Sequence, residues 1–522
     1  MRVFGVSLFV ALALTVLPAH AENVLRWSSH GDALTFDPMG QNEGPTFAQN
    51  QQIYEPLITR TPDLGLEPAL ATSWEAVEPT RWVFQLREGV TFHDGRPFTA
   101  DDVEFSIRRA QHRFSNYLQF VTEIEEVEII DDYTVNLITS APVPLLPEQL
   151  SSIFIMSRTW AEEHDVTVPQ NFSGGEENYA VRNANGTGPF ILELREPDIR
   201  TIMVRNENWW RLAEDNAHNI DRIIFTPIGN DATRVAALLS GELDLLLDPP
   251  LQDLRRIERT SGINLIEIPH MRSIFLGMNQ RDDELASSNI EGRNPFQDQR
   301  VRRAIYQAIQ IEAIHSRTMR ERSAPAGMIV APGVNGYEEG FDERLPYNPL
   351  GARDAIAAAG YPDGFSVTLD CPNNRYVNDE EICQAVVGML AQIGITANLD
   401  AQPKSLHFPK LEEFDTDFYM LGWTPTTVDS GDVFEFLLLT EGSWNAGGYS
   451  NAAVDALVPQ IASELDDEAR NAMIHEVWDM AIQDVAYIPL HHQVLTWAAR
   501  DGLEIPITPN NLPQFRWARM EE

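Results

Sequence analysis

The stretch 66–109 constrains the fold most, because it reads as one complete strand–loop–helix unit. Residues 81–87 alternate apolar and more polar side chains, which is the period of a half-buried strand. After a short polar loop, a helix is predicted to begin at Thr99. Thr99 and Asp102 have the spacing of a capping box, and Arg109 places positive charge at the negative end of the same helix. This stretch predicts well-formed local structure but carries no catalytic chemistry.

Strands and helices are predicted to alternate along most of the remaining chain. The segment 221–248 reads as strand, helix and strand, an order that predicts parallel pairing with a right-handed crossover. Residues 365–399 follow the same order, and 127–137 read as a hairpin. This alternation predicts an α/β fold. A chain of 522 residues is long enough for about three domains.

Two segments of the opening stretch resemble a known family. "PALATSWE" and "FQLREGVTFHDGRPFTADDV" are similar to the signature of the family-5 extracellular solute-binding proteins, which include the periplasmic oligopeptide-, dipeptide- and nickel-binding components of ABC importers. Further similar segments follow in the family's order to about residue 500. The resemblance implies a two-lobed periplasmic-binding-protein fold of type II, cluster C-like, with an additional inserted domain and a two-strand hinge.

The resemblance also implies where the domains divide. Lobe I is expected to combine 22–46, 181–268 and 487–522. The inserted domain II is expected at 47–180, and lobe III at 269–486. Composition alone marks no clear linkers between these segments, so the division depends on the resemblance.

The first 21 residues have the pattern of a secretory signal peptide. Arg2 gives a positive start, 3–17 is an apolar run too short to span a bilayer, and Ala19 and Ala21 form a small-x-small cleavage site. We expect cleavage after Ala21 and a periplasmic location. No cysteine stands at this junction, so a lipid anchor is not expected.

The charge balance restricts the kinds of partner. The chain has 78 acidic against 38 basic residues, a formal net charge of −40. Such a surface repels nucleic acids and anionic lipid headgroups. A binding partner of either kind is therefore not expected. The resemblance implies a monomer that works with the transmembrane permease subunits of an ABC transporter.

No sequence motif of a hydrolase, a phosphate-binding loop, a zinc protease or a dinucleotide site is present. His491 and His492 are neighbours on a predicted strand, so their side chains point to opposite faces and at most one could enter a given site. We therefore expect no catalytic residue, no metal site and no cofactor.

The candidate ligand residues come from the resemblance. Arg375 lies where the dipeptide binders place an arginine on the ligand's C-terminal carboxylate, a task suited to a bidentate guanidinium. Lys404 aligns with an aromatic residue that follows a strand in those proteins. Together the two cations would suit an anionic or opine-like ligand.

Another part of the expected site follows a predicted strand at 418–423. Gly422 and Trp423 resemble the family's Gly-Trp pair that precedes a ligand-facing loop. Three residues after the tryptophan, peptide binders have an aspartate for the ligand's α-ammonium, and this chain has Thr426. A free amino end on the ligand is therefore less well matched. Near the N-terminus the resemblance implies ligand contacts from four consecutive residues, Asp32, Ala33, Leu34 and Thr35.

Cys371 and Cys383 are the only two cysteines. We predict that they form a disulfide, because export implies an oxidising compartment; two unpaired buried thiols are the alternative. A C-x₁₁-C spacing with no histidine pair nearby is not a zinc pattern.

The sequence as a whole favours a periplasmic solute-binding protein that captures a peptide or related small molecule between two lobes and delivers it to an ABC permease. The alternatives are a nickel or metallophore, opine or sugar-conjugate binder of the same family, and a secreted enzyme.

Overall fold

The computed structural model describes residues 22–29, 31–172, 174–214 and 217–521. The predicted signal peptide and its cleavage site lie outside these ranges. Among the described residues, none of the helices combines the length and the apolar character needed to cross a membrane.

One large mixed sheet organises the described part of the chain, with 11 strands. In spatial order, its main path is Ile395–Gln402, Phe365–Pro372, Phe418–Trp423, Ile263–Met278, Ile488–Arg500, Leu245–Leu247, Val24–Ser28, Arg222–Phe225, Arg200–Arg205 and Phe190–Glu196. A short strand, Ser323–Pro325, pairs with Ile488–Arg500 outside this path.

Two long strands in the middle of this order, Ile263–Met278 and Ile488–Arg500, are antiparallel partners and are here called the hinge strands. Their pairing is regular up to Pro269 and Val494, then shifts before it resumes at Ser273 and His492. On one side of this irregularity the strands adjoin the 190–247 part of the sheet, and on the other side the 365–423 part. We propose that the predicted lobes divide here, because a bulge locally weakens the pairing.

The predicted strand–helix–strand unit at 221–248 is present, but its two strands are not neighbours. Arg222–Phe225 and Leu245–Leu247 both pair in parallel with Val24–Ser28, which lies between them. The expectation of direct pairing was therefore wrong. Strand 24–28 is distant in sequence from both, so the local pattern gave no sign that it would enter the space between them.

The opening stretch forms part of a separate sheet of four antiparallel strands. Its spatial order is Ala71–Glu78, Arg81–Leu86, Thr134–Thr139 and Ile124–Asp131. The predicted hairpin is confirmed, and in it Val127 faces Leu137. The capping box is also confirmed, with the Thr99 backbone N–H donating to Asp102 Oδ2 at 3.0 Å.

Helices cover both parts of the large sheet and one side of the smaller one. Their bounds are Gly44–Asn50, Ala100–Ala110, Leu146–Leu150, Arg158–Glu163, Asp231–Ser240, Leu254–Glu258, Gln299–Ala308, Ile311–Ala313, Pro349–Ala358, Asp379–Leu390, Lys404–Glu412, Ser430–Val433, Ala452–Ile461 and Asp467–Asp484. Two short paired-strand elements, Ile58–Arg60 with Leu66–Pro68 and Leu503–Glu504 with Arg519–Met520, complete the framework.

Candidate functional site

A cavity of about 300 Å³ lies where the separate parts of the fold meet. One wall comes from 42–60 and 117–154, which belong to the predicted inserted domain and to the last residues of lobe I before it. Another comes from 510–516, beside the end of the chain. The loop 424–428 and Met271 of the hinge strands close the third side. A ligand here would contact lobe I, the inserted domain and lobe III at once. Its binding could therefore hold these three predicted units together.

The inserted-domain wall contains a buried carboxyl group, that of Glu55. It accepts hydrogen bonds from Trp209 Nε1 at 3.1 Å, Trp210 Nε1 at 3.0 Å and Thr187 Oγ1 at 2.8 Å. Burial raises the pKa of Glu55 despite these donors. Its oxygens are occupied by protein donors, so Glu55 anchors the wall and is a poor partner for a ligand cation.

The wall at 510–516 is cationic but largely compensated. Arg516 donates to the Arg60 carbonyl at 2.7 Å and lies 3.1 Å from Glu67 Oε1. Burial lowers the pKa of Arg516 to about 10. Among the described residues, Arg516 Nε is buried without a hydrogen-bond partner. Arg516 therefore joins this wall to the inserted domain through Arg60 and Glu67.

On the third side, Asp432 holds the predicted ligand loop in shape. Its Oδ1 accepts from Trp423 Nε1 at 2.7 Å, and its Oδ2 accepts from the Thr426 backbone N–H at 3.0 Å. Burial raises the pKa of Asp432 to about 6. Thr426 lines the cavity, whereas Gly422 and Trp423 are not among the lining residues, and the ligand role of all three stays a prediction.

Arg375 lies outside the cavity lining, in the loop after strand Phe365–Pro372. Its backbone N–H donates to Asp379 Oδ2 at 2.9 Å, and its guanidinium lies 5.2 Å from the centre of the Tyr376 ring. Within the described part of the chain, no carboxylate lies within 4.0 Å of this guanidinium. Lys404 begins a helix with an exposed side chain and is tied to the same loop through its N–H, which donates to Asn374 Oδ1 at 2.8 Å.

The four consecutive N-terminal residues predicted to contact ligand are not among those lining the cavity. Asp32 forms an ion pair with Arg195 at 2.7 Å, with both side chains almost inaccessible. Ala33 and Thr35 are buried, while Leu34 is 49% exposed. Their ligand role stays a prediction, and the free Leu34 side chain is the group best placed to serve it.

The two cysteines enclose the Arg375 loop. Cys371 and Cys383 are joined by a disulfide, and both residues are fully buried. The bond ties the end of strand Phe365–Pro372 to helix Asp379–Leu390, and so fixes both ends of the segment that carries Arg375.

A buried serine and a buried histidine on the two hinge strands lie in a row with the half-buried Asp342, which belongs to a loop beside them. Ser273 Oγ is 2.8 Å from His492 Nδ1, and His492 Nε2 is 3.2 Å from Asp342 Oδ2. Ser273 is 0% exposed, so no substrate can reach its hydroxyl. His491, also buried, has no partner for either ring nitrogen among the described residues, and burial lowers its pKa to about 3. The row is structural in this conformation.

Sequence reasoning missed Arg272, which lies on the irregular part of the hinge strands. Its Nε donates to Thr424 Oγ1 at 3.1 Å, beside the cavity. The only available signal was its place next to the predicted lobe boundary at 268/269. Over the described residues, no group of three or more histidine, cysteine or acidic side chains could hold a metal ion.

Curated relatives match nearly the whole chain. Heme-binding protein A of Haemophilus influenzae is 25% identical over 512 residues, covering 92% of this chain and 89% of the relative. The glutathione-binding protein GsiB of Escherichia coli (strain K12) is 24% identical, covering 93% of this chain and 92% of the relative. These relatives are binding proteins.

Solved structures show the same fold. HbpA2 from Haemophilus parasuis has a TM-score of 0.82 at 22% identity, covering 96% of this chain and 100% of that structure. A dipeptide-binding protein from Pseudoalteromonas sp. SM9913 in complex with Met-Leu has a TM-score of 0.76 at 21% identity, covering 95% and 100%. The α/β, two-lobed fold expected from the sequence is therefore confirmed.

The family itself is established by a family-wide sequence model. The model for bacterial extracellular solute-binding proteins, family 5, matches residues 65–445, which includes the opening stretch, the hinge strand Ile263–Met278 and the loop at Thr426. The resemblance drawn from the sequence segments is thereby confirmed. The chain belongs to the family-5 bacterial extracellular solute-binding proteins.

Proposed function

We propose that this protein captures a peptide or related small molecule between its lobes and delivers it to the permease of an ABC transporter. The observation that carries this proposal is the cavity shared by the inserted domain, the chain end and the loop 424–428. The names of the similar proteins, which refer to heme, glutathione and dipeptides, set the range of ligand classes to consider.

The expected mechanism is closure of the lobes about the hinge strands. Hinge motions are absorbed by a few residues at element ends or irregularities, and the break in pairing between Pro269 and Ser273 offers such a place. Closure removes water from the ligand, so each charged group on the ligand requires a partner in the protein. A solute that leaves a charge unmatched would bind weakly.

The residues at the cavity favour a ligand with an anionic end and no requirement for a free ammonium. Thr426 supplies a hydroxyl where an acid would pair with an amino group. The nearby acids Glu55, Asp429 and Asp432 are each committed to protein donors. N-blocked peptides and opine-like compounds meet this description better than peptides with a free N-terminus.

The remaining parts of the proposal come from the sequence. We propose that the chain is exported, cleaved after Ala21 and released into the periplasm without a lipid anchor, where it acts as a monomer. We also propose that it has no enzymatic activity, which agrees with the inaccessible Ser273 hydroxyl. A nickel or metallophore, opine or sugar-conjugate ligand is the main alternative.

Titration calorimetry with paired N-acetylated and free dipeptides tests this function. We expect 1:1 binding, unchanged peptide after prolonged incubation, and the same affinity after treatment with a chelator. Hydrolysis of the peptide would indicate an enzyme instead. Loss of binding after chelation would favour the metal-dependent alternative.

A further inference from the structure

Arg272 carries a positive charge that forms no ion pair within the described part of the chain. It lies in the break of the hinge-strand pairing, directly after Met271, which lines the cavity. Its Nε is hydrogen-bonded to Thr424, another cavity residue. Across the described ranges, no carboxylate lies within 4.0 Å of its guanidinium. The two terminal nitrogens have no protein acceptor there and are not sealed from solvent.

Arg375 is linked to the same segment through its neighbour in the chain. Its neighbour Tyr376 accepts a hydrogen bond from the Gly422 N–H at 2.8 Å and donates one to the Gly422 carbonyl at 3.2 Å. Gly422 in turn pairs with Ile274, two residues beyond Arg272. Both arginines are therefore connected to the segment 422–424, Arg272 through Thr424 and Arg375 through the Tyr376 ring, 5.2 Å from its guanidinium.

The two cations are close enough to affect each other. The pKa of Arg272 is lowered to about 10, chiefly by burial and then by the charge of Arg375, against weaker opposite effects of Tyr376 and Asp248. Asp248 accepts a hydrogen bond from Asn511 Nδ2 at 2.8 Å. Placing two like charges together in a partly buried site is unfavourable unless an anion joins them.

We propose that Arg272 and Arg375 together form a doubly cationic site for a solute end that carries two carboxylates, such as an acidic C-terminal residue. This proposal deepens the proposed function and rests on it. One carboxylate satisfies one guanidinium in a bidentate pair, so a single carboxylate would leave a positive charge uncompensated after closure. A second carboxylate on the same end balances the site.

The position of the pair also fits the rest of a ligand. Thr424 contacts Arg272, and Thr426 lines the cavity two residues later. Two residues span at most about 7 Å, so an anionic end held by the arginines would leave the remainder of the solute in reach of the cavity. Lys404, with its exposed side chain, is not needed for this arrangement.

Three probes of nearly equal size test the proposal: N-acetyl-Ala-Glu, N-acetyl-Ala-Gln and N-acetyl-Ala-Gln-amide, with two, one and no carboxylates. Their dissociation constants would be measured by calorimetry for the wild type, Arg272→Gln, Arg272→Lys and the control Arg353→Gln. Arg353 is exposed on the helix Pro349–Ala358, so its replacement makes the same charge change away from the cleft. Thermal unfolding would confirm that each variant is folded.

We expect the wild type and Arg353→Gln to prefer N-acetyl-Ala-Glu over N-acetyl-Ala-Gln by at least about 30-fold, the lower range for a desolvated charge pair. Arg272→Gln should reduce this preference to about threefold or less, and Arg272→Lys should retain an intermediate preference. Equal wild-type affinity for these two probes, or an unchanged preference in Arg272→Gln, would overturn the two-carboxylate proposal and leave the proposed function standing. Failure of the wild type to bind any of the three would also overturn the two-carboxylate proposal, and the titrations with free dipeptides would then test the proposed function separately.

Discussion

Arg470 holds Asp429 in a bidentate ion pair, with Nη1 2.8 Å from Oδ2 and Nη2 2.7 Å from Oδ1. Both side chains are almost completely buried. Asp429 lies three residues after Thr426 and caps the helix Ser430–Val433, while Arg470 belongs to the long helix Asp467–Asp484. The ion pair therefore fixes the cavity loop to the body of its lobe, and the acid at this position serves the fold and not the ligand.

Removing Arg470 should destabilise the protein strongly, because Asp429 would remain buried without its counter-charge. We expect Arg470→Ala to lower the free energy of unfolding by about 3–5 kcal/mol. Urea titration measures this quantity. The exposed pair Arg200–Glu196 provides the control, since Arg200→Ala should cost less than about 1 kcal/mol. Similar losses in the two variants would contradict a structural role for the buried pair.

Thr426→Asp should change the preferred ligand end. The new carboxylate would face the cavity and could pair with an α-ammonium, so free-amino dipeptides should gain at least tenfold in affinity over their N-acetylated forms, about 1.4 kcal/mol. Thr426→Asn has a similar size without charge and should show no such gain. If both variants behave alike in calorimetry, charge at this position does not select the ligand end.

Asp432 should make stability depend on pH. Burial raises its pKa to about 6, above the usual value near 3.8, so the folded state keeps a proton that the unfolded state has lost. The stabilising contribution is complete below about pH 4 and is lost as the pH rises through 6. Relative to Asp432→Asn, which does not titrate, the wild type should lose up to about 3 kcal/mol between pH 4 and 7. Urea unfolding measures the free energy of unfolding of both proteins at each pH. If the difference between the wild type and Asp432→Asn stays constant from about pH 4 to 7, the raised pKa of Asp432 is refuted.

The disulfide should contribute through the short loop that it closes. Replacing both Cys371 and Cys383 by alanine should lower the free energy of unfolding by about 3 kcal/mol, and a reducing agent should then have no further effect. Mass mapping without reduction supplies the direct check. Alkylation of both thiols in the untreated wild type would show that the bond is absent.

Sequence alone could predict the local units and the family, because their determinants are close together in the chain. The capping box at Thr99 needs a partner three residues away, and the hairpin register follows from alternation across a tight turn. Thr426 could be identified as a cavity residue because it follows a recognisable Gly-Trp pair.

The rest of the site depends on contacts that no local pattern encodes. The sequence assigns Arg109 only a favourable charge at the end of its helix. In the structure its side chain is wholly buried and forms a bidentate ion pair with Asp37, 72 residues earlier. Glu55 is enclosed by tryptophans more than 150 residues later. Arg272 lies at the cavity because the pairing of the two hinge strands is interrupted there. That interruption depends on how two segments more than 200 residues apart align, so the sequence around Arg272 does not reveal it.

Native mass spectrometry of the protein purified from the periplasm tests the central claim most directly, because it examines the solute that the protein binds in the cell. The account predicts a 1:1 complex whose ligand is released intact on denaturation, has acidic groups at one end, and is absent when Arg272→Gln and Arg375→Ala are combined. A ligand without acidic groups, or one that the double variant retains as fully as the wild type, would contradict it.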